Sequence, residues 1–160
     1  MKNKAALIFF LTLSVFVFCE CNKKDQGGTC TPKTVQSEQA DILAYASANS
    51  MNVTAHSSGI YYQVVNPGAG AVPNPASRVY VKYTGKLLNG TVFDSQANSA
   101  ATGWVLSSLI PGWQIGIPLI QKGGHIKLII PSSLCYGCNG SGPIPANSVL
   151  YFDIELTDVQ

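Results

Sequence analysis

The apolar positions fall into three regimes along the chain. Residues 5–18 are almost wholly apolar, broken only by Thr12 and Ser14, and follow the positive Lys2 and Lys4. This run is too short to span a bilayer comfortably and has the layout of a signal-peptide core. Residues 26–36 are aperiodic and read as a linker. Next comes a helical period: Ser37 is a candidate N-cap, Ile42 and Ala46 lie four apart with Leu43 beside them, and the pattern predicts a helix over 38–50.

From Gly59 the period changes to two. Residues 60–65 predict a strand stopped by Asn66-Pro67-Gly68. Residues 78–85 alternate, with Val79, Val81 and Tyr83 on one face. Asn89-Gly90 between two apolar pairs predicts a type I′ hairpin. Pro111-Gly112 opens a short helix, which Pro118 ends. Residues 125–130 form another strand, with Ile126, Leu128 and Ile130 on one side. Residues 131–147 are a long loop. In the last strand, from Val149, Leu150, Phe152, Ile154 and Leu156 face inward while Tyr151, Asp153 and Glu155 face out. The predicted fold is α+β: a twisted antiparallel β-sheet wrapped around a short α-helix, with an N-terminal helical extension.

Composition narrows the function. A 46% hydrophobic and 11% charged chain is not a disordered polyampholyte. A net charge of +2 without a basic run points away from nucleic acid. His56 and His125 are far apart and have no cysteine pattern suited to zinc, so neither metal nor cofactor is expected. His125 reads as a surface residue. Between Arg78 and Phe152 the only carboxylate is Asp94, which leaves no partner for paired-carboxylate chemistry. Gly137 to Gly142 is glycine-rich but lacks the lysine of a phosphate loop. These absences favour chemistry that needs no nucleophile.

The stretch VYVKYTGKLLNGTVFDS from Val79, the sequence Leu109-Ile110-Pro111-Gly112-Trp113, residues 126–131, Tyr136-Gly137, Ile144-Pro145-Ala146-Asn147 and the strand from Leu150 resemble the FKBP-type peptidyl-prolyl cis-trans isomerases. The resemblance spans Gly59 to the C-terminus. The preceding helix resembles the extension of secreted bacterial members. It implies catalysis by Asp94, Tyr136, Tyr83 and Phe152, and substrate binding by Phe93, Trp104, Leu109, Ile110, Trp113 and Ile144. Trp113 would floor the site, the Tyr136 hydroxyl and the Ile110 N–H would hold substrate carbonyls, and Asp94 would sit at the rim beside Tyr83. By pattern alone, core filling is the better reading of Trp113, Phe93 and Phe152, and only the joint match turns them into a pocket. Trp104 stands where the family usually has Phe, and Ser108 where an acidic or amide residue is frequent.

The apolar leader ends in Cys19-Glu20-Cys21-Asn22-Lys23-Lys24, which resembles a bacterial lipoprotein signal. That implies lipidation at Cys21, with Cys19 as the alternative. A plain secreted protein or an uncleaved anchor remains open. Cys135 and Cys138 form a CxxC around Tyr136; in an oxidising compartment a disulfide between them would stiffen the loop, or both are bystanders.

The expected organisation is a signal peptide at 1–20, a tether at 21–36, an N-terminal helix and linker at 37–57, and an isomerase domain at 58–160. The expected protein is exported, to the periplasm or to the outer membrane or cell surface, and held at a membrane by lipid. It is monomeric, binds no nucleic acid, and acts on proline-containing unfolded or nascent exported polypeptides. The alternative is a non-catalytic, lipid-tethered chaperone or adhesin using the same groove.

Overall fold

A computed structural model describes residues 30–160. The signal-peptide and lipidation expectations, Cys19 and Cys21 included, lie outside the described residues. The helix α1 spans Val35–Ala48 and starts earlier than Ser37 implies. Thr34 is the cap instead: its hydroxyl oxygen accepts from the Ser37 N–H at 3.2 Å. At the other end the Asn49 side chain donates to the Tyr45 carbonyl at 2.8 Å.

The strands are β1 (Thr54–Ala55), β2 (Tyr61–Asn66), β3 (Arg78–Leu87), β4 (Val92–Gln96), β5 (Trp104–Val105), β6 (His125–Ile130) and β7 (Leu150–Val159), and the helix α2 is Pro111–Gly116. They form one antiparallel sheet in the order β1-β2-β6-β7-β3-β4, with β5 also paired to β3. One face carries the predicted inward residues of β3, β6 and β7 against Trp113 and Ile117. Two glycines let α2 settle there. A Cβ at Gly112 would overlap the Ile130 side chain, and one at Gly116 would stand 2.5 Å from a Leu128 methyl.

The opposite face is also covered. Ile42 and Ala46 of α1 pack on Tyr61, Ile129 and Tyr151. Tyr151, expected to face solvent, is therefore buried, 5.5 Å between ring centroids from Tyr45. Its hydroxyl donates to Asp153 at 3.1 Å, and Asp153 also binds the His125 ring at 2.5 Å. His125 is thus a half-buried partner rather than a free surface residue. Strand alternation predicts which face a residue takes, but not that a helix far earlier in the chain will shield it.

The β3–β4 turn is not type I′. Only Gly90 of the pair has a positive φ, +91°. The Gly90 N–H donates to the Leu87 carbonyl and the Leu87 N–H to the Thr91 carbonyl, both at 2.9 Å. This is a three-residue loop with a left-handed glycine. Beyond it, Lys86 pairs with Val92 but Gly85 with Asp94, so Phe93 is an extra residue bulged out of register.

Candidate active site

A cleft of about 280 Å³ opens between α2, the central strands and the loop before β7. Its lining is Tyr83, Phe93, Asp94, Trp104, Ser108, Leu109, Ile110, Trp113, Tyr136 and Phe152. The bulge explains how two consecutive residues of one strand, Phe93 and Asp94, both reach it. A regular strand would send them to opposite faces. Gly85 lies opposite on β3, where a Cβ would sit 2.6 Å from the Phe93 ring and 2.9 Å from Phe152. No other residue leaves room for both rings.

The rings meet edge to face. Trp113 lies 5.1 Å from Tyr83 and 5.2 Å from Phe152, at interplanar angles of 84° and 85°. Phe93 meets Phe152 at 5.6 Å and 87°. Such contacts add about 0.5–1.5 kcal/mol each beyond the area they bury, so the walls are held rigidly. Trp113 is only 4% exposed, with its indole N–H buried and unpartnered among the described residues.

Asp94 is the one charged side chain of the lining. Its carboxylate accepts from the Tyr83 hydroxyl at 2.5 Å. Burial, then this hydrogen bond, raises the Tyr83 pKa well above its ordinary value. Tyr136 is shifted the same way, first by burial, although 37% of its surface is exposed. For Tyr83 the folded-state value exceeds the unfolded one. Its contribution to stability is therefore whole below pH of about 10 and is lost progressively as pH climbs from there through the higher folded value. A spectrophotometric titration of wild type against Tyr83→Phe is expected to show no phenolate from Tyr83 as pH passes 10. Ionisation there at the ordinary phenol value would contradict this geometry.

Sequence reasoning placed nine of these residues. Ser108 was noted only for its departure, yet it lines the cleft, its hydroxyl donating to the Val105 carbonyl at 2.7 Å. Its position two residues before Ile110 was the available signal. Ile144 is a correction. It is 6% exposed, packs into the main core and is absent from the lining. Reciprocal backbone bonds to Ser141 at 2.8 and 2.9 Å fold its segment back on itself.

The cysteine pairing is a second correction. Cys138 is bonded to Cys30, Cα to Cα 5.4 Å, and Cys135 is free. Cys135 follows one 3₁₀ turn, Ser132–Leu134, and Cys138 lies within the next, Gly137–Asn139. Cys135 points inward against the core, its Sγ 3.9 Å from the Ile130 carbonyl, and burial pushes its thiol pKa up. Cys138 instead meets the N-terminal segment. Residues 30–36, read as tether, are fixed by this bridge and by the first turn of α1.

The family model for FKBP-type peptidyl-prolyl cis-trans isomerase matches residues 70–157. The chain is 42% identical over 126 residues to FkpA of Aeromonas hydrophila, covering 78% of this chain and 47% of that protein. It is 44% identical over 114 residues to FkpA of Escherichia coli K12, covering 71% and 42%. The crystal structure of Escherichia coli FkpA superposes with a TM-score of 0.67 at 39% identity, covering 79% of this chain and 61% of that one. The chain spans less than half the length of these two curated relatives. The cleft, the sheet around it and the family match agree: this chain belongs to the FKBP-type peptidyl-prolyl cis-trans isomerase family.

Proposed function

We propose that the chain catalyses cis-trans rotation about Xaa-Pro bonds in unfolded or nascent exported polypeptides. The observation that carries this is the open cleft walled edge to face by Tyr83, Trp113, Phe93 and Phe152. Amide resonance sets a barrier of about 18–20 kcal/mol to rotation. Twisting the bond out of plane breaks that resonance, and the carbonyl loses negative charge. The twisted amide is less dipolar than the planar one, so a dry aromatic enclosure disfavours it less. A shape that fits the twisted form lowers the barrier further.

In this reading the proline ring stacks on the Trp113 indole between Phe93 and Phe152. The Tyr136 hydroxyl, which stays protonated, donates to a substrate carbonyl. The Ile110 N–H has no acceptor among the described residues and donates to another. Asp94, held by Tyr83, faces the rotating carbonyl at the rim. The isomerase unit is 58–160, with 37–57 as an added helix and connection. The leader and Cys21 support export and lipid attachment at a membrane, the chain acting as a monomer. Radiolabelled palmitate incorporation lost in Cys21→Ser would report the anchor at Cys21; label lost only in Cys19→Ser would move it to Cys19, and label unchanged in the double variant would refute a lipid on either cysteine.

The deciding experiment is turnover of a short proline peptide by the full chain. Acceleration is expected, and Asp94→Ala should lower kcat/KM by about 10-fold, the scale of one charged hydrogen-bonding group. Tight peptide binding without acceleration would establish the non-catalytic groove instead.

A further inference from the structure

Tyr136 is the least anchored member of the site. Its side chain makes no hydrogen bond and no ring-to-ring contact among the described residues. Its position over the cleft is therefore set by the backbone of its loop. That loop is tied from outside at three places, each time to the segment before β1. Two residues beyond Tyr136, Cys138 is bonded to Cys30, 108 positions away. The Asn147 side chain donates to the Thr31 carbonyl at 3.1 Å and accepts from the Lys33 N–H at 3.3 Å. The Asn147 N–H also donates to the Gly137 carbonyl at 2.8 Å, next to Tyr136. At the loop's start, the fully buried Glu38 of α1 accepts from the Ser132 N–H at 2.8 Å.

We propose that residues 30–38 form a clamp that positions the Tyr136 hydroxyl over the cleft, with Cys30, Cys138 and Asn147 as its positioning residues. The proposal rests on the isomerase reading for the role of that hydroxyl. Asn147 is well placed as the hub. It sits at φ +54°, a left-handed conformation that Asn tolerates, and it joins the N-terminal segment to the Tyr136 backbone in one side chain and one amide. The clamp can be opened reversibly. A dithiol reductant transfers two electrons and two protons to the bridge. The sulfur–sulfur bond breaks, Cys30 and Cys138 become thiols, and the reductant closes to its own disulfide. Cys135 is tucked against the core and takes no part.

A hydroxyl that holds substrate equally before and during rotation affects KM more than kcat. The test uses the full chain and a short proline peptide, with affinity also read from quenching of the cleft tryptophans. Four states are compared: oxidised wild type, dithiothreitol-reduced wild type, Cys30→Ser and Asn147→Gly. Glycine keeps the left-handed backbone and removes both side-chain bonds. Each open state should raise KM and Kd about 3- to 10-fold, the scale of one lost hydrogen bond, with kcat nearly unchanged. Each comparison is repeated in a Tyr136→Phe background, where the effect should vanish, because a merely structural role would persist there. Unchanged KM and Kd in the reduced and Asn147→Gly chains would overturn the clamp. So would an equal rise in the Tyr136→Phe background. If Cys30→Ser fails to fold, those two states still decide. Absence of acceleration by the oxidised chain would sink the isomerase reading, while the Kd comparison would still judge the clamp.

Discussion

A Phe152→Ala variant is expected to lose about 10- to 100-fold in kcat/KM for a proline peptide, the loss that accompanies about 1.5–3 kcal/mol of apolar wall contact. Phe152 lies mid-sheet, opposite Gly85 on β3 and Leu128 on β6, and is 3% exposed. It is the ring against which both Trp113 and Phe93 set their angles. Removing it takes away one wall and frees two others to shift. The same change should lower folding stability by about 3–5 kcal/mol. Activity must therefore be compared at a temperature where both proteins are folded. Phe152→Leu separates the effects, because it refills most of the volume at a cost of about 1.5 kcal/mol or less yet lacks the ring edge. Stability should recover largely and turnover only in part. A folded Phe152→Ala variant with kcat/KM close to wild type would show that rotation happens elsewhere.

The second large effect is expected at Ile42, far from the cleft. Ile42 is fully buried between α1 and the sheet face formed by Tyr61, Ile129 and Tyr151. Ile42→Asp removes that packing and places a carboxylate where no cation is provided. Losing a large aliphatic side chain from a core costs about 2–5 kcal/mol, and an unpaired buried charge adds to it. The helix should undock rather than bury the charge, exposing Ile129 and Tyr151 to water. Urea denaturation is expected to show a loss of at least about 3 kcal/mol, within the range for a disrupted core. The exposed Leu43, next along the helix, serves as the control, and Leu43→Asp should be nearly neutral. Equal effects at the two positions would mean that α1 is not docked as described.

Much of the site was legible in the sequence because local rules governed it. Val79, Val81 and Tyr83 share a face through strand alternation, and two of them fill the core while the third reaches the cleft. Pro111 starts α2 at its first turn, which fixes where Trp113 projects. The aromatic set was recognisable through the ordered motifs of a known family rather than through any one residue. Ser108 was not assigned to the cleft and Ile144 was, because both sit in irregular backbone, where no period states which way a side chain turns.

What the sequence determined by itself is the alternation of the main strands and the two helices, since each depends on residues within a few positions of one another, and, through the joint family motifs, the identity of the rings. Tertiary structure decided the rest: that Phe93 bulges so that it and Asp94 enter one cleft, that α1 roofs Tyr151, and that Cys138 joins Cys30 rather than Cys135. The physical reason is common to all three. Each outcome is set by register or close approach between paired segments, adjacent in the chain for the bulge and about 100 residues apart for α1 and Cys30, and spacing in sequence carries no information about either.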